Sequence, residues 1–475
     1  MPRAFLLLLL TAVLPRAVAP AAELPLETAL VEAIAKAEKS VVAVARVRRE
    51  GTGQRLNVEP RPDPFGRQIK PTDPDFVPNE YAAGVMIDAH GLVLTVYHAL
   101  GENSDYYVST NDRKVYRAKI IGADPRSDLA VLAPDDSAVP QLAGIEFPTV
   151  SLGNAEGLKK GQWVIALGNP LAIARDGQAS ASWGIVANLA RRAPPVPEEA
   201  DPTGKTTLHH FGTLIQTDAK LHLGSSGGPL INLRGEMVGL VTAIPSVAGY
   251  DEAAGYAIPV DAAFRRIVET LKQGREVEYG FLGLQPMNLT LDEVFRGTHG
   301  ARVSRVVTGT PAARKGIRVG DIVTAINNVP IFDADGLVLE VGRLPVDAVV
   351  RVAVLRAAKV LEFDVELTKY RVRGTKIITT PAAAWRGMRV EYLTAVDETA
   401  RPGGSVPAGS GVAVIDVEKG SPAWESGLRP GMIVGEVERA AVRTPKEFYA
   451  AAGQNGPVRL RAWGADAAEY LVPAP

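Results

Sequence analysis

From position 81 to 258 the apolar residues come in short runs broken by Gly, Pro, Asn and Asp: GVMID, LVLTVYH, RAKIIGAD, LAVLA, WVIALGNP, GIVANLA, GTLIQTD, PLINLRG and EMVGLVTAI. No helical period is sustained across this stretch, so it predicts the strands of an all-β sandwich or barrel. Helical patterning flanks it on both sides. PLETALVEAIAKAE (25–38) puts Leu26, Leu30, Ile34 and Ala37 on one face, and PVDAAFRRIVETLKQG (259–274) does the same with Ala263, Ile267, Val268 and Leu271. A proline near the start and a glycine at the end bound the second helix. SVVAVARV (Ser40–Val47) reads as a strand, and the Pro-, Gly- and Asp-rich residues 51–80 and 191–206 read as long exposed loops.

Beyond the second helix the pattern repeats. GTPAARKGIRVGDIV (309–323) recurs as GSPAWESGLRPGMIV (420–434). Each copy follows a strand (ARVSRVV; VAVIDVE), opens a short helix at Pro311 or Pro422, and passes through a Gly-x-x-x-Gly turn into another strand. Two tandem small α+β modules are therefore expected, over 278–370 and 384–475, joined by a linker near 371–383, after a β domain over 22–274. A chain of 475 residues fits roughly three such units.

Composition narrows the function. A formal net charge of −1 gives no long-range pull toward nucleic acid. The absence of cysteine excludes a disulfide framework and thiolate metal sites. Met1-Pro2-Arg3 followed by the apolar run Ala4–Leu14, with small residues at Ala19-Pro20-Ala21, predicts a signal peptide over 1–21 and an exported, soluble mature protein. Left uncleaved, the same segment would tether the protein peripherally to a membrane.

The candidate chemistry centres on Gly224-Ser225-Ser226-Gly227-Gly228, a serine among glycines between two apolar runs. A serine hydroxyl needs a base and an oxyanion stabiliser, and flanking glycines permit a sharp turn with uncovered N–H groups. There are six histidines. His90 sits in a turn, His209 and His210 follow a polar loop, His222 is too near Ser226 along the chain, and His299 belongs to a repeat module. His98 differs, since it ends the apolar strand 92–97 and opens a short helix. Asp128, at the head of a buried run, needs a partner such as an imidazole N–H, whereas Asp124 before Pro125 reads as a turn former. The order His98, Asp128, Ser226 is that of chymotrypsin-type enzymes.

These residues resemble the HtrA/Deg family of serine endopeptidases: TVYHAL (95–100), DPRSDLAVL (124–132), ALGNP (166–170), QTDAKLHLGSSGGPLINLRGEMVGLVTAI (216–244) and GYAIPV (255–260). The resemblance implies a trypsin-like double β-barrel followed by PDZ domains. It also implies Ser226 as nucleophile, His98 as general base then acid, and Asp128 as orienting acceptor. The turn Gly224-Ser225-Ser226 would form the oxyanion hole through the N–H groups of Gly224 and Ser226. Leu221 would line a primary pocket for small aliphatic residues, with Lys220 pointing away. The stretch Phe281-Leu282-Gly283-Leu284 resembles a PDZ carboxylate-binding loop. In the second module Trp385–Val390 stands opposite it, with Arg389 in place of the glycine. Ser225, Ala82-Ala83 and Val96-Tyr97 depart from the family pattern.

No cofactor or metal enters this reading. It implies an exported, ATP-independent endopeptidase acting on unfolded or damaged proteins and peptides, as a homotrimer or a multiple of trimers. A non-catalytic chaperone or PDZ scaffold is the alternative from another class, and a narrow regulatory protease the alternative within this one.

Overall fold

The computed structural model describes residues 25–49, 80–168, 178–193, 205–222, 224–242, 255–396, 411–453, 455–463 and 467–474. The signal segment and residues 51–79 of the first expected loop lie outside the described residues, as does most of 191–206. None of the helices described is long and apolar enough to cross a membrane.

The alternating text folds into two antiparallel six-stranded barrels. In the first, strands Val115–Asp124, Ser104–Ser109, Val41–Arg48, Glu80–Met86, Val93–Val96 and Leu129–Pro134 pair in that order, and the last closes on the first. The second closes in the same way through Pro229–Ile231, Trp163–Gly168, Ser180–Arg191, Leu214–Thr217, Gly255–Pro259 and Glu236–Val241. Closure leaves no free sheet edge in either barrel, so each interior fills with the inward half of every strand. Val42, Val44, Met86, Tyr106 and Val108 fill the first, and Val164, Val186, Ile215, Leu230 and Val238 the second. A larger cluster draws Val85, Leu94, Val96 and Leu129 from one barrel and Ile165, Leu167, Leu214 and Ile231 from the other. Val96 and Leu129 of this cluster stand two residues before His98 and one after Asp128.

The two flanking helices form at Pro25–Ala37 and Ala262–Lys272. Asp261 caps the second by accepting the Phe264 N–H at 2.8 Å. Phe264, Ile267, Val268 and Leu271 bury on the cluster shared by the barrels.

Each repeat module is an antiparallel sheet around its own core, with short helices at Pro311–Arg314 and Pro422–Glu425 and a longer one at Ala334–Gly342 and Pro445–Ala452. The linker between the modules does more than connect them. Ile377–Ile378 adds a strand to the first barrel, pairing antiparallel with Ala123 and Gly122. The Thr375 carbonyl accepts the Tyr97 hydroxyl at 3.0 Å, and Thr379 Oγ1 donates to the Ile121 carbonyl at 2.6 Å. This accounts for the unusual Val96-Tyr97 pair before His98: Val96 is buried in the core, and Tyr97 reaches out to the linker.

A buried ion cluster locks the modules together. Lys369, with its side chain 4% exposed, lies 2.6 Å from Glu391, 3.0 Å from Glu276 and 3.1 Å from Glu278. Tyr392 donates to Asp347 at 2.7 Å across the same contact.

Candidate active site

His98 lies in the single helical turn Tyr97–Ala99 that ends strand Val93–Val96. Its Nδ1 is 2.9 Å from Asp128 Oδ2 and 3.0 Å from Oδ1, and its backbone N–H donates to Oδ1 at 3.0 Å. An Nδ1–H facing the carboxylate leaves Nε2 as the unprotonated nitrogen. The ring's partial burial would lower its pKa, but the Asp128 charge and hydrogen bond outweigh that and hold His98 above the ordinary imidazole value. Burial alone would raise Asp128. The His98 charge and hydrogen bonds instead bring it below the usual carboxylate range.

Asp128 is held from a third side by Thr242, whose Oγ1 donates to Oδ2 at 3.3 Å. The sequence reading missed Thr242, because a threonine at the end of an apolar strand looks like any β-branched core residue. Asp128 itself has φ +57°, left-handed for a non-glycine residue.

Ser226 is buried and belongs to a turn fastened to both barrels. Its carbonyl accepts the Ala83 N–H at 2.8 Å from the first barrel. On the other side Gly227 N–H donates to Val241 O, and Val241 N–H to Gly228 O, each at 2.8 Å. Gly227 has to be glycine. At φ +87° its Cβ would fall 2.1 Å from Ala83 O and 2.5 Å from Thr95 Oγ1. Thr95, another residue missed in the sequence, donates to the carbonyl of Ala83, the residue whose N–H holds the serine turn, at 2.8 Å from the strand that leads into the His98 turn.

Within the predicted oxyanion turn the three residues differ. Ser225 N–H donates to His222 O at 3.0 Å, and Ser225 Oγ accepts His222 N–H at 3.3 Å, so this residue serves the turn itself. Gly224, at φ +92°, has no hydrogen-bond partner for its N–H among the described residues. Leu221 is half-buried on the apolar interior of the second barrel, facing Gly255, while Lys220 is exposed. His222 contributes backbone bonds to the turn.

In the first module Leu282 is buried, and Gly283 (φ +86°) has Thr310 so close that a Cβ would lie 2.0 Å from its Cβ. The carbonyls of Leu282 and Gly283 accept Ala312 N–H (3.0 Å) and Val307 N–H (2.8 Å), whereas their own N–H groups have no partner among the described residues. Phe281 and Leu284 flank this loop on short strands, and Leu284–Asn288 is an edge strand lying beside helix Ala334–Gly342.

The second module corrects the reading of Arg389. Gly387, not position 389, is the counterpart of Gly283. It has φ +83°, its Cβ would lie 2.2 Å from Ser421 Cβ, and its carbonyl accepts Glu418 N–H. Arg389 lies in the strand beyond, paired with Asp416. The loop is nonetheless closed. Trp385 and Met388 exchange both backbone hydrogen bonds at 2.8 Å around Arg386 (φ +49°) and Gly387, a tight hairpin turn. Arg386 stands where the first module has Leu282, and its buried guanidinium donates to the carbonyls of Val472 and Pro473 at 2.7 Å.

Two closed six-stranded barrels with a His–Asp pair beside a glycine-flanked serine turn, followed by two small α+β modules, define a trypsin-fold serine peptidase with PDZ domains. Comparison with known proteins agrees. Residues 82–240 match the trypsin-like peptidase domain and residues 280–367 the PDZ domain. The chain is 32% identical over 371 residues to a probable periplasmic serine endoprotease, DegP-like, of Chlamydia pneumoniae, covering 77% of this chain and 69% of that one. It is 30% identical over 426 residues to the periplasmic pH-dependent serine endoprotease DegQ of Escherichia coli, covering 86% and 84%. A variant of the HtrA-type protease AlgW, solved with a decapeptide, superposes with a TM-score of 0.52 at 25% identity, covering 72% of this chain and 98% of that one. The chain belongs to the HtrA/DegP-like family of periplasmic serine endoproteases.

Proposed function

We propose that Ser226, His98 and Asp128 form the catalytic triad of this endoprotease. Ser226 Oγ attacks the scissile carbonyl as its proton passes to His98 Nε2. Asp128, holding Nδ1–H, keeps the tautomer and stabilises the imidazolium. The developing oxyanion is met by the N–H groups of Gly224 and Ser226. His98 then protonates the leaving amine, and water, deprotonated by the same histidine, releases the acyl group. The observation that carries this reading is the Nδ1–Asp128 Oδ2 contact of 2.9 Å, with Asp128 held by Thr242 at the end of strand Glu236–Val241, which pairs with the strand Pro229–Ile231 leaving the serine turn.

Leu221, half-buried opposite a glycine, supports a pocket for small aliphatic residues, so cleavage after Val should outpace cleavage after Glu in matched peptides. In the first module the N–H groups of Leu282 and Gly283, which have no partner among the described residues, support capture of a C-terminal carboxylate, the peptide adding a strand along Leu284–Asn288. The hairpin turn and buried Arg386 argue against the same role in the second module. The substrates are unfolded or damaged proteins. The mature protein works in the periplasm after removal of residues 1–21, as a trimer or a multiple of trimers. The exposed Trp183, tilted against Trp163 with ring centroids 5.1 Å apart, is an aromatic surface suited to such an assembly.

The test is Ser226→Ala with fluorophosphonate labelling. Wild-type protein should label at Ser226 and cleave casein, and the variant should do neither. Cleavage by the variant would put the nucleophile elsewhere.

A further inference from the structure

The turn that carries Asp128 begins at Asp124, and Asp124 is not merely a turn former. Its side chain is buried, and Oδ2 collects three donors: Ser127 N–H at 2.8 Å, Ser127 Oγ–H at 2.6 Å, and the hydroxyl of Tyr279. Tyr279 is wholly buried and stands two residues before the Phe281–Leu284 loop of the first PDZ module. We propose that Asp124, completed by the Tyr279 hydroxyl, is a positioning residue for the reaction, fixing the 124–128 turn so that the Asp128 carboxylate faces His98. This rests on the triad reading above.

Four observations support it. Asp128 holds a left-handed φ of +57°, which a non-glycine residue keeps only when its surroundings over-determine it. Those surroundings grip the preceding residue on every polar atom. Ser127 N and Oγ are taken by Asp124, and Ser127 O accepts from His209 Nε2 at 2.9 Å. His209 Nδ1 in turn accepts from Thr213 Oγ1 at 2.7 Å, so the ring is the neutral Nε2–H tautomer, in keeping with the burial that lowers its pKa.

The third observation is Arg126, the only other charged side chain inside the turn. It is buried with its guanidinium 3.9 Å from the Tyr370 ring centroid and 5.5 Å from that of Tyr279. The fourth is that these two tyrosines form one seat: Tyr370 N–H donates to Tyr279 O at 2.7 Å, at the point where the chain enters and leaves the module. The turn of the catalytic aspartate is thus plugged into the root of the PDZ module. Without the Tyr279 hydroxyl, the buried Asp124 carboxylate keeps only the donors of its own turn, and the turn loses the one outside contact made to that carboxylate.

The experiment compares full-length Tyr279→Phe, Asp124→Ala and Asp124→Asn with wild type. The substrate is a short internally quenched peptide with an amidated C-terminus, and active sites are counted by fluorophosphonate titration at each pH. Tyr279→Phe keeps the ring stacked on Arg126 and removes only the hydroxyl. Its kcat per titrated site should fall roughly tenfold with KM within about twofold. The acid limb of kcat/KM should move to lower pH, because a carboxylate turned from the imidazole raises the His98 pKa less. Asp124→Ala should fall at least as far. Asp124→Asn keeps an oxygen for all three donors and should recover most of the rate.

Unchanged kcat per site and an unchanged acid limb in Tyr279→Phe overturn the proposal. So does a loss confined to the number of titratable sites, which marks a folding role alone. Equal loss in Asp124→Asn and Asp124→Ala also overturns it. If wild type itself takes up no label, the triad reading has failed instead.

Discussion

Thr242→Val isolates one hydrogen bond at Asp128, the aspartate of the proposed triad. Thr242 is 4% exposed, and its Oγ1 donates to Asp128 Oδ2 at 3.3 Å. Valine has nearly the same shape, so the change leaves no cavity and removes one donor from a carboxylate still held by His98 Nδ1 at 2.9 Å. Hydrogen bonds to charged groups contribute about 1.5–3 kcal/mol. At 3.3 Å this one is longer than the usual O–H···O separation, which puts it at or below the low end. About 1–1.5 kcal/mol of lost orientation corresponds to a fall in kcat of roughly five- to tenfold, with KM nearly unchanged. Thr242→Ser keeps the hydroxyl and loses a methyl group, so it should lose stability of about 1 kcal/mol and little kcat. The assay is kcat and KM on an amidated quenched peptide, normalised to fluorophosphonate-titrated sites. If Thr242→Val turns over at the wild-type rate, or Thr242→Ser falls equally far, the hydroxyl does not orient Asp128.

Three further outcomes are expected. Asp128→Asn removes the charge that holds His98 above the ordinary imidazole value, so the acid limb of kcat/KM should move to lower pH while kcat drops by roughly a thousandfold or more. A limb that stays in place would mean Asp128 does not set the His98 pKa. Because Asp128 is depressed and His98 raised, their mutual stabilisation fades as pH falls through the folded Asp128 pKa and as it rises through the folded His98 pKa. Gly283→Ala forces a Cβ to within 2.0 Å of Thr310 and a side chain into φ +86°. Binding of a peptide with a free C-terminus, followed by fluorescence anisotropy, should weaken by roughly a hundredfold, and retained affinity would place peptide capture elsewhere. Lys369→Met leaves Glu276, Glu278 and Glu391 facing one another without their buried cation, a loss of about 3–5 kcal/mol. The second module should swing free, seen as a larger radius of gyration and faster proteolysis near Ile377. Unchanged scattering would show that other contacts suffice.

The triad candidates were legible because catalysis demands particular residue types in particular local settings. Few side chains can act as nucleophile or base, six histidines could each be weighed, and only His98 ended a buried strand. The helices at 25–37 and 262–272 were legible from periodicity, since an amphipathic face follows from spacing alone. Gly283 was legible from its loop, but its counterpart Gly387 was misassigned. Register between two diverged modules depends on which carbonyl meets which N–H, and residue order does not record that.

What the sequence determined by itself is local: short apolar runs that must become strands, a repeat that must become two modules, and reactive residues with the right neighbours. What only the tertiary structure decided is long-range. Nothing near Thr242 marks it as a partner of Asp128, far back in the chain. Nothing in Tyr279 marks it as a donor to Asp124, nor in Ile377 as an added barrel strand. Such pairings are chosen by the need to satisfy buried polar groups where separate segments converge, and a one-dimensional pattern carries no signal of convergence.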